Sequence, residues 1–167
     1  MLPTVTVIPS SLESLSAQMG GSGAPTSAAF PTSNRAIFIP FRLSRPTLFV
    51  KMFTWNGTTA SGNIDVGLYD KDGTRIVSKG STAHTGTSVI QEFDITDTLL
   101  NAGLFYLAVA MDNSTAHLFR KSVNNVIMKF AGCYQMASAF PLPATATFAA
   151  VSNSYIPIVG ATTRSVI

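Results

Sequence analysis

The feature that most constrains this fold is the spacing of the apolar residues, which alternate with other residues in short runs. Every second residue is apolar from Ile37 to Leu43 and again from Leu48 to Met52. A period of two places consecutive side chains on opposite faces of a strand, whereas a helix repeats a face every three or four residues. Turn residues follow the runs, as in the Asn-Gly pair at 56–57. The pattern predicts an all-β chain.

The alternation and its interruptions predict a series of short strands. They cover residues 37–43, 48–53, 62–70, 74–80, 89–95, 104–111, 116–121 and 126–131, with two later candidates at 145–150 and 155–159. The Asp-Lys-Asp-Gly run at 70–73 predicts a hairpin between the third and fourth strands. Short strands with regular turns indicate an antiparallel β-sandwich, either jelly-roll-like or Greek-key.

Several local details refine this prediction. In the strand at 89–95, Phe93 and Ile95 share one face and Glu92 and Asp94 the other. Residues 104–111 are apolar on both faces, as expected of a central strand, and residues 96–102 fit one short helical turn. Pro40 has no amide hydrogen to donate, which predicts an edge position for its strand.

Composition adds a second constraint. Mean hydropathy is +0.31 and only 11% of residues are charged, against about 25% in an average soluble domain. No apolar run approaches the roughly 20 residues that span a bilayer. The chain therefore has either an unusually large core or apolar surface covered by other subunits, and we favour the second explanation.

The charges also divide the chain. Outside the stretch from Arg35 to Lys129 only Glu13 and Arg164 are charged, and a Gly/Ser-rich segment lies at 19–25. We predict an extended N-terminal arm or linker at 1–34, a β-sandwich domain at 35–131, and a low-charge C-terminal segment at 132–167 that forms an arm or final strands. Neither a basic n-region nor an apolar h-region opens the sequence, so we expect synthesis without Sec export.

Few residues suggest chemistry. The single cysteine, Cys133, excludes an internal disulfide and multi-cysteine zinc patterns. His84 and His117 are the only histidines, and the sequence has no glycine-rich phosphate loop, G-x-S-x-G elbow or H-E-x-x-H motif. Asn56 and Asn113 each begin an N-x-S/T sequon, which we interpret as a turn. We predict no catalytic residue, no cofactor and no metal site.

The carboxylates support the same expectation. Glu92 and Asp94 lie on one strand face, although a glycosidase pair comes from separate segments; a hydrolase would need two facing carboxylates among Asp65, Glu92 and Asp112. The 70–73 turn resembles the start of a calcium loop but lacks the remaining ligands. A net charge of +3 without a basic cluster does not favour nucleic-acid binding.

The best binding hypothesis involves three aromatic residues. Phe53, Trp55 and Tyr69 fall on positions opposite the predicted core residues of their strands. Three explanations stay open: ordinary packing or a second-sheet core, a subunit interface, or stacking against a glycan.

Three runs carry a resemblance to a known class of proteins. They are NRAIFIPFR at 34–42, SGNIDVGLYD at 61–70 and DTLLNAGLFYLA at 97–108. Together they resemble β-sandwich structural proteins of tailed bacteriophages. The last run is also similar to carbohydrate-binding jelly rolls, in which a glycine precedes a strand of the Phe-Tyr-Leu-Ala type. The first resemblance implies a virion component, such as a capsid decoration, fibre-like or tail-associated subunit, and it implies no catalytic residues.

We therefore expect a non-enzymatic structural component of a bacteriophage virion, made in the host cytoplasm and assembled through apolar arms and subunit interfaces. Its expected partners are copies of itself and other virion proteins, without nucleic acid or membrane insertion. The alternative is a glycan- or receptor-binding β-sandwich module that would contact a host-surface glycan through the three aromatics.

Overall fold

The chain is almost entirely β-structure. The structure, a computed structural model, describes residues 4–7 and 24–165. Within them lie fourteen strands and a six-residue helix, α1 (Asn125–Phe130). The strands are β1 (Thr4–Val7), β2 (Thr26–Ala29), β3 (Arg35–Leu43), β4 (Thr47–Trp55), β5 (Asn63–Asp70), β6 (Arg75–Ser78), β7 (Thr82–Ala83), β8 (Ile90–Leu100), β9 (Gly103–Met111), β10 (His117–Lys121), β11 (Tyr134–Met136), β12 (Ala149–Ala150), β13 (Ile156–Pro157) and β14 (Val159–Ser165).

The strands form three antiparallel sheets. The first has the order β1-β14-β4-β8, the second β13-β10-β2, and the third β12-β11-β3-β9-β5-β6 with β7 also paired to β5. An isolated bridge between Asn56 and Leu118 joins the end of β4 to β10, so the first two sheets meet there. The predicted antiparallel all-β class is confirmed.

The main core lies between the third sheet and the other two. Ile39, Val66 and Leu107 of the third sheet belong to one buried cluster with Met52 of the first sheet and Leu118 of the second. Two sheet layers that share one apolar core make a β-sandwich. This burial is the main source of its stability, at roughly 25 cal/mol per Å² of apolar area.

A second core covers the other face of the third sheet. Phe38, Tyr69 and Tyr106 point away from the main core and pack with Leu142 and Phe148, which come from the segment 137–148. We call this segment the cover strand-loop. Because the chain covers both faces of the third sheet, residues 104–111 are apolar on both sides, and part of the apolar excess of the sequence is internal.

The two termini both contribute strands. The C-terminal segment was predicted to form either an arm or final strands. Residues 132–165 form strands β11 to β14. β14 pairs with β4 from Val159↔Thr54 to Ser165↔Thr47. In the N-terminal segment, β2 pairs with β10 and β1 pairs with β14. Residues 1–3, 8–23 and 166–167 lie outside the described part, and the predicted N-terminal arm falls largely on them.

Two strand details are confirmed. Asp70 Oδ1 accepts hydrogen bonds from the N–H groups of Asp72 and Thr74, at 2.9 and 2.8 Å, and so closes the β5–β6 hairpin. Gly73 adopts φ +87°, a value that favours glycine. In β8, Phe93 is buried whereas Glu92 is exposed, in accord with the alternation.

Two secondary-structure predictions are wrong. Residues 96–102 do not form a helical turn, because β8 continues to Leu100, which pairs with Thr47 of β4. Residues 126–131 are not a strand: α1 begins after Asn124, whose side chain accepts a hydrogen bond from Val126 N at 2.8 Å. That N-cap satisfies one of the free N–H groups at a helix start.

The prediction that Pro40 lies on an edge strand is also wrong for β3 as a whole. β3 lies between β9 and β11. The pairing with β11 ends at Phe38, however, and Pro40 pairs only with Tyr106 of β9. The proline therefore occupies a section of an inner strand that has a single neighbour.

Two late strands are shorter than predicted. Only Ala149–Ala150 of the 145–150 candidate is a strand, and the 155–159 candidate divides between β13 and the start of β14. Among the described residues no helix is long and apolar enough to cross a membrane.

Candidate binding surface

The three predicted aromatics do not form one surface. Phe53 and Trp55 lie on β4 in the first sheet, whereas Tyr69 lies on β5 in the third. Phe53 is only 8% exposed. Tyr69 is fully buried beneath the cover strand-loop, and its hydroxyl donates to the carbonyl of Pro143. Ordinary packing therefore accounts for Phe53 and Tyr69, and Trp55 alone is partly accessible.

Trp55 stacks on an aromatic residue of another sheet. Its ring lies 4.2 Å from the ring of Phe119 on β10, centroid to centroid, at an interplanar angle of 25°. The bridge between Asn56 and Leu118 turns those two side chains inward, and the alternation along each strand then places Trp55 and Phe119 together on the outer face. Both rings are half-buried.

Three polar side chains adjoin the stacked pair. Ser27 Oγ lies 3.1 Å from Thr58 Oγ1 and 3.2 Å from Nδ1 of His117, and Thr58 Oγ1 lies 3.3 Å from the same nitrogen. Ser27 is opposite Phe119 in the β2–β10 ladder, so these groups share its face. We call Ser27, Trp55, Thr58, His117 and Phe119 the outer surface.

Gly57 makes the close approach possible. A Cβ at this position would lie 2.4 Å from Ser27 Oγ and 2.7 Å from His117 Cβ, well inside contact distance. Without that side chain, Thr58 N–H can donate to Ser27 Oγ at 2.9 Å. The Asn-Gly pair thus acts here through the small size of its glycine.

The hydrogen bonds of the outer surface leave donors and acceptors for a ligand. Nδ1 of His117 lies within hydrogen-bond distance of both hydroxyls. In the tautomer in which Nδ1 accepts from one of them, the ring carries its hydrogen on Nε2. No described residue hydrogen-bonds Nε2, and this atom is not among the buried unpartnered ones. An N–H donor and hydroxyl oxygens beside aromatic rings suit a polar ligand with an apolar face, such as a sugar.

A serine 3.2 Å from a histidine nitrogen also resembles the nucleophile and base of a hydrolase. Such a pair normally has a third group that orients the histidine. In the described part of the chain no carboxylate hydrogen-bonds His117, and Ser27 Oγ is engaged by Thr58 N–H.

The candidate carboxylates serve separate structural contacts. Glu92 and Asp94 are exposed and lie 3.1 and 3.4 Å from Lys51 Nζ. Asp65 is buried under the cover strand-loop, where it accepts hydrogen bonds from Gly80 N and Leu142 N at 2.9 and 3.0 Å. Burial raises its pKa, and these two hydrogen bonds together with the charge of Arg75 act in the opposite direction.

Asp112 makes a third, separate set of contacts. It accepts hydrogen bonds from the backbone and side chain of Asn63, at 3.0 and 2.9 Å. Asp65, Glu92 and Asp112 therefore share no partner. Across residues 4–7 and 24–165 no group of three or more His, Cys, Asp or Glu side chains is placed to hold a metal ion.

The remaining sequence candidates are buried or structural. His84 is buried, and burial lowers its pKa. Burial likewise raises the pKa of the Cys133 thiol to about 12, the reverse of what a nucleophile needs. Asn56 is fully buried and donates to Thr85 O and Gln91 Oε1, and Asn113 Oδ1 accepts from Thr115 N. Both sequons thus have structural roles.

Sequence reasoning found Trp55 but missed its neighbours. The alternation in the predicted strand 116–121 could have placed His117 and Phe119 on one face. Their contact with Ser27 could not have been found, because it depends on the pairing of β2 with β10 across about ninety residues of sequence.

No protein-family model matches this chain, and no match is found among curated proteins or solved structures. The function is therefore proposed from the geometry and from the resemblance noted above.

Proposed function

We propose that this protein is a non-enzymatic structural subunit of a bacteriophage particle, and that it assembles with copies of itself and with other virion proteins. The observation that carries the proposal is a pair of exposed apolar side chains on α1. Val126 is 65% exposed and Phe130 is 80% exposed. They stand four residues apart, which places them on one face of the helix.

The helix is firmly attached below this face. Met128 is buried in the main core, and Ile127 packs against it. Cys133 N donates to Met128 O at 2.9 Å, which fastens the chain just after the helix. A fixed support that presents a phenylalanine to water is typical of a contact site, because burying that ring against another subunit stabilises the complex.

A second apolar area lies along β8, the outermost strand of the first sheet. Ile90 and Leu99 are 53% and 54% exposed. Between the pairs Lys51↔Asp94 and Phe49↔Thr98, β8 has three residues where β4 has one, so the free edge is interrupted by a bulge. Bulges and charges on an edge oppose strand addition. Contacts here would therefore use side chains rather than a continued sheet.

The runs at 34–42, 61–70 and 97–108 resemble phage β-sandwich proteins. This resemblance supports the proposal that the particle is a bacteriophage virion. These runs form β3, β5 and the end of β8 with β9, which are mostly core strands. We infer a decoration, fibre-like or tail-associated subunit located in the virion. The apolar arms expected from the sequence are replaced in this proposal by α1 and the β8 side chains.

Light scattering of the purified protein tests assembly. The wild type should have a mass that is a multiple of the 17.7 kDa chain. Val126→Ser/Phe130→Ser should shift the mass toward the monomer and leave the far-UV circular dichroism of the folded chain unchanged, since both side chains are exposed. Lys129→Ser, on the same helix, is the matched control and should assemble normally. A monomeric wild type at high concentration would contradict the proposal.

The virion location requires a separate measurement. In a density gradient of a phage-producing culture, an antibody against the purified protein should detect it in the fractions that contain intact particles. Detection only in the soluble fractions would exclude a structural role in the virion, even if the protein self-assembles.

A second function is favoured by the outer surface. Trp55 and Phe119 beside Ser27, Thr58 and His117 combine aromatic rings with hydroxyl and imidazole groups, as glycan sites do. Trp55→Ala should abolish binding on a glycan array and leave assembly intact. Lys129→Ser, which changes an exposed residue on α1 and is expected to assemble normally, should leave glycan binding unchanged. No binding by the wild type across a broad array would reject this second function.

A further inference from the structure

A pair of arginines meets one short loop at the end of the sandwich. Arg35 Nη1 donates to Ser152 Oγ and to Gln135 Oε1, each at 3.2 Å, and Arg120 Nη1 donates to the carbonyl of Ser154 at 3.2 Å. Asn153 lies between the two contacted loop residues. Arg35 begins β3 in the third sheet and Arg120 belongs to β10 in the second, so the two layers of the sandwich each supply one guanidinium.

Both arginines stand on inward-facing positions. Arg35 lies two residues before Ile37, and Arg120 lies two residues after Leu118, so each arginine shares a strand face with that apolar residue. Ile37 and Leu118 both belong to the main core. The guanidinium of Arg120 also lies over the ring of the buried Tyr155, 5.7 Å from its centroid. Both side chains are half-buried, so the guanidinium groups lie at the end of the core.

Unsatisfied polar atoms are concentrated at this loop. In the described part of the chain, five buried side-chain nitrogen or oxygen atoms have no hydrogen-bond partner, and one of them is His84 Nε2. The other four are Arg35 Nε, Arg120 Nε, and Nδ2 and Oδ1 of Asn153. Each buried polar group left without a partner costs about 1–3 kcal/mol. These four atoms belong to Asn153 and to the two arginines that contact its neighbours Ser152 and Ser154, and they are closed off from water in this conformation. A ligand that satisfies them therefore enters as the loop at 152–154 shifts.

The free atoms of the arginines match an oxyanion. Both arginines use Nη1 for their protein contacts, which leaves the edge formed by Nε–H and Nη2–H. That edge is the fork that binds a carboxylate or phosphate through two parallel hydrogen bonds. Neither Arg35 nor Arg120 takes part in an ion pair between described residues, so no described carboxylate neutralises either guanidinium.

We propose that Arg35, Arg120 and Asn153 form a binding site for a phosphate group. The two guanidinium edges and Asn153 Nδ2–H would donate to its oxygens, and Asn153 Oδ1 would accept the hydrogen of a protonated phosphate oxygen. Sulfate offers the same acceptors without that hydrogen at neutral pH, so phosphate should bind more tightly. Free phosphate and a phosphate ester would use the same contacts.

Thermal unfolding and calorimetry test the site. Inorganic phosphate at about ten times its Kd should raise Tm by roughly 2–5 °C over chloride at equal ionic strength. Sulfate should have a smaller effect, and acetate the smallest. Comparing glycerol phosphate with inorganic phosphate distinguishes an ester from the free ion. No greater effect of phosphate than of chloride, or an equal effect of sulfate and phosphate, would overturn the assignment.

Substitutions place the effect at this loop. Asn153→Asp supplies a carboxylate between the arginines, so it should raise Tm without phosphate and abolish the phosphate response. Asn101→Asp makes the same charge change on an exposed turn and should do neither. Arg120→Lys keeps the charge but removes the fork, and the Kd for phosphate should rise at least about tenfold. A phosphate response that persists unchanged in Asn153→Asp and Arg120→Lys would refute the site.

Discussion

The two outer faces of the sandwich have opposite characters. The third sheet turns Phe38, Tyr69 and Tyr106 outward, and the cover strand-loop buries them. The outer face of the first two sheets carries Trp55 and His117, which are only half-buried. The covered face needs the chain's own C-terminal segment for its stability, whereas the open face keeps polar and aromatic groups available for contacts.

The difference shows where the apolar excess of the sequence is used. Much of it forms a second internal layer. In the described part of the chain, the exposed large apolar side chains lie on α1 and on or just before β8. The covered face is also fastened by polar contacts. Arg75 N donates to Ala144 O at 2.8 Å, and the Arg75 side chain donates to the carbonyl of Leu142.

The largest expected effect comes from the covered face. Phe38→Ala should lower the free energy of unfolding by about 3–5 kcal/mol, because it leaves a cavity in a packed layer. Phe38 is fully buried, and its ring lies 5.1 Å from those of both Tyr69 and Phe148. Urea unfolding measures the change. Phe130→Ala removes an equal side chain from an exposed site and should cost under about 0.5 kcal/mol in the monomer; equal losses would mean that the second layer contributes nothing.

The next effect is on the open face. Gly57→Ala should destabilise the protein by about 1–3 kcal/mol, because the added Cβ meets Ser27 Oγ and His117 Cβ and forces them apart. Gly80→Ala is not a matched control, since Gly80 has φ +79°. Ser61→Ala changes another residue of the loop that contains Gly57, and it is a better control. If Gly57→Ala is as stable as the wild type in urea, the close packing of the outer surface is not required.

A smaller effect should follow from Tyr69→Phe. The variant keeps the ring in the second core but leaves the Pro143 carbonyl without its donor. A lost neutral hydrogen bond costs about 0.5–1.5 kcal/mol. Tyr134→Phe, on β11, is the matched control. It also removes a tyrosine hydroxyl, but one for which no hydrogen bond is described. A loss in Tyr134→Phe that matches the loss in Tyr69→Phe would show that the bond to Pro143 does not fasten the cover strand-loop.

Local patterns predicted the strands well and the layers poorly. The alternation along β5, β8 and β9 and the turn residues at 70–73 depend on neighbouring positions, which a single sequence displays. α1 was missed because its apolar residues also suit a strand, although Asn124 offered a capping signal. The cover strand-loop was not foreseen because its contacts join residues far apart, such as Asp65 and Leu142.

The same reasoning explains the partial success at the candidate sites. Trp55 could be selected because an aromatic residue beside a turn is visible in the sequence. Its partners, and the meeting of Arg35 with Arg120 at one loop, depend on how three sheets are arranged. For Tyr69 the sequence left packing, a subunit interface and glycan stacking open, and the structure shows packing because a second layer covers its face.

The smallest expected effect is a pH dependence of the covered face. Burial raises the pKa of Asp65 above its ordinary 3.8, while hydrogen bonds from Leu142 N and Gly80 N and the charge of Arg75 offset part of the rise. A raised pKa in the folded state means that the folded protein binds the proton more tightly than the unfolded chain. The contribution of Asp65 to stability is therefore full below the unfolded pKa and declines as the pH rises through the folded pKa.

Asp65→Asn isolates this contribution, because the variant cannot titrate at position 65 and every other ionisable group is unchanged. The free energy of unfolding of the wild type minus that of Asp65→Asn should fall as the pH is raised from about 3 toward neutrality. Any constant cost of the amide, which leaves one of the two N–H groups with a poorer acceptor, does not alter this slope. A difference that rises with pH would mean that the hydrogen bonds and Arg75 outweigh burial, and that the covered face holds Asp65 as a stabilised anion.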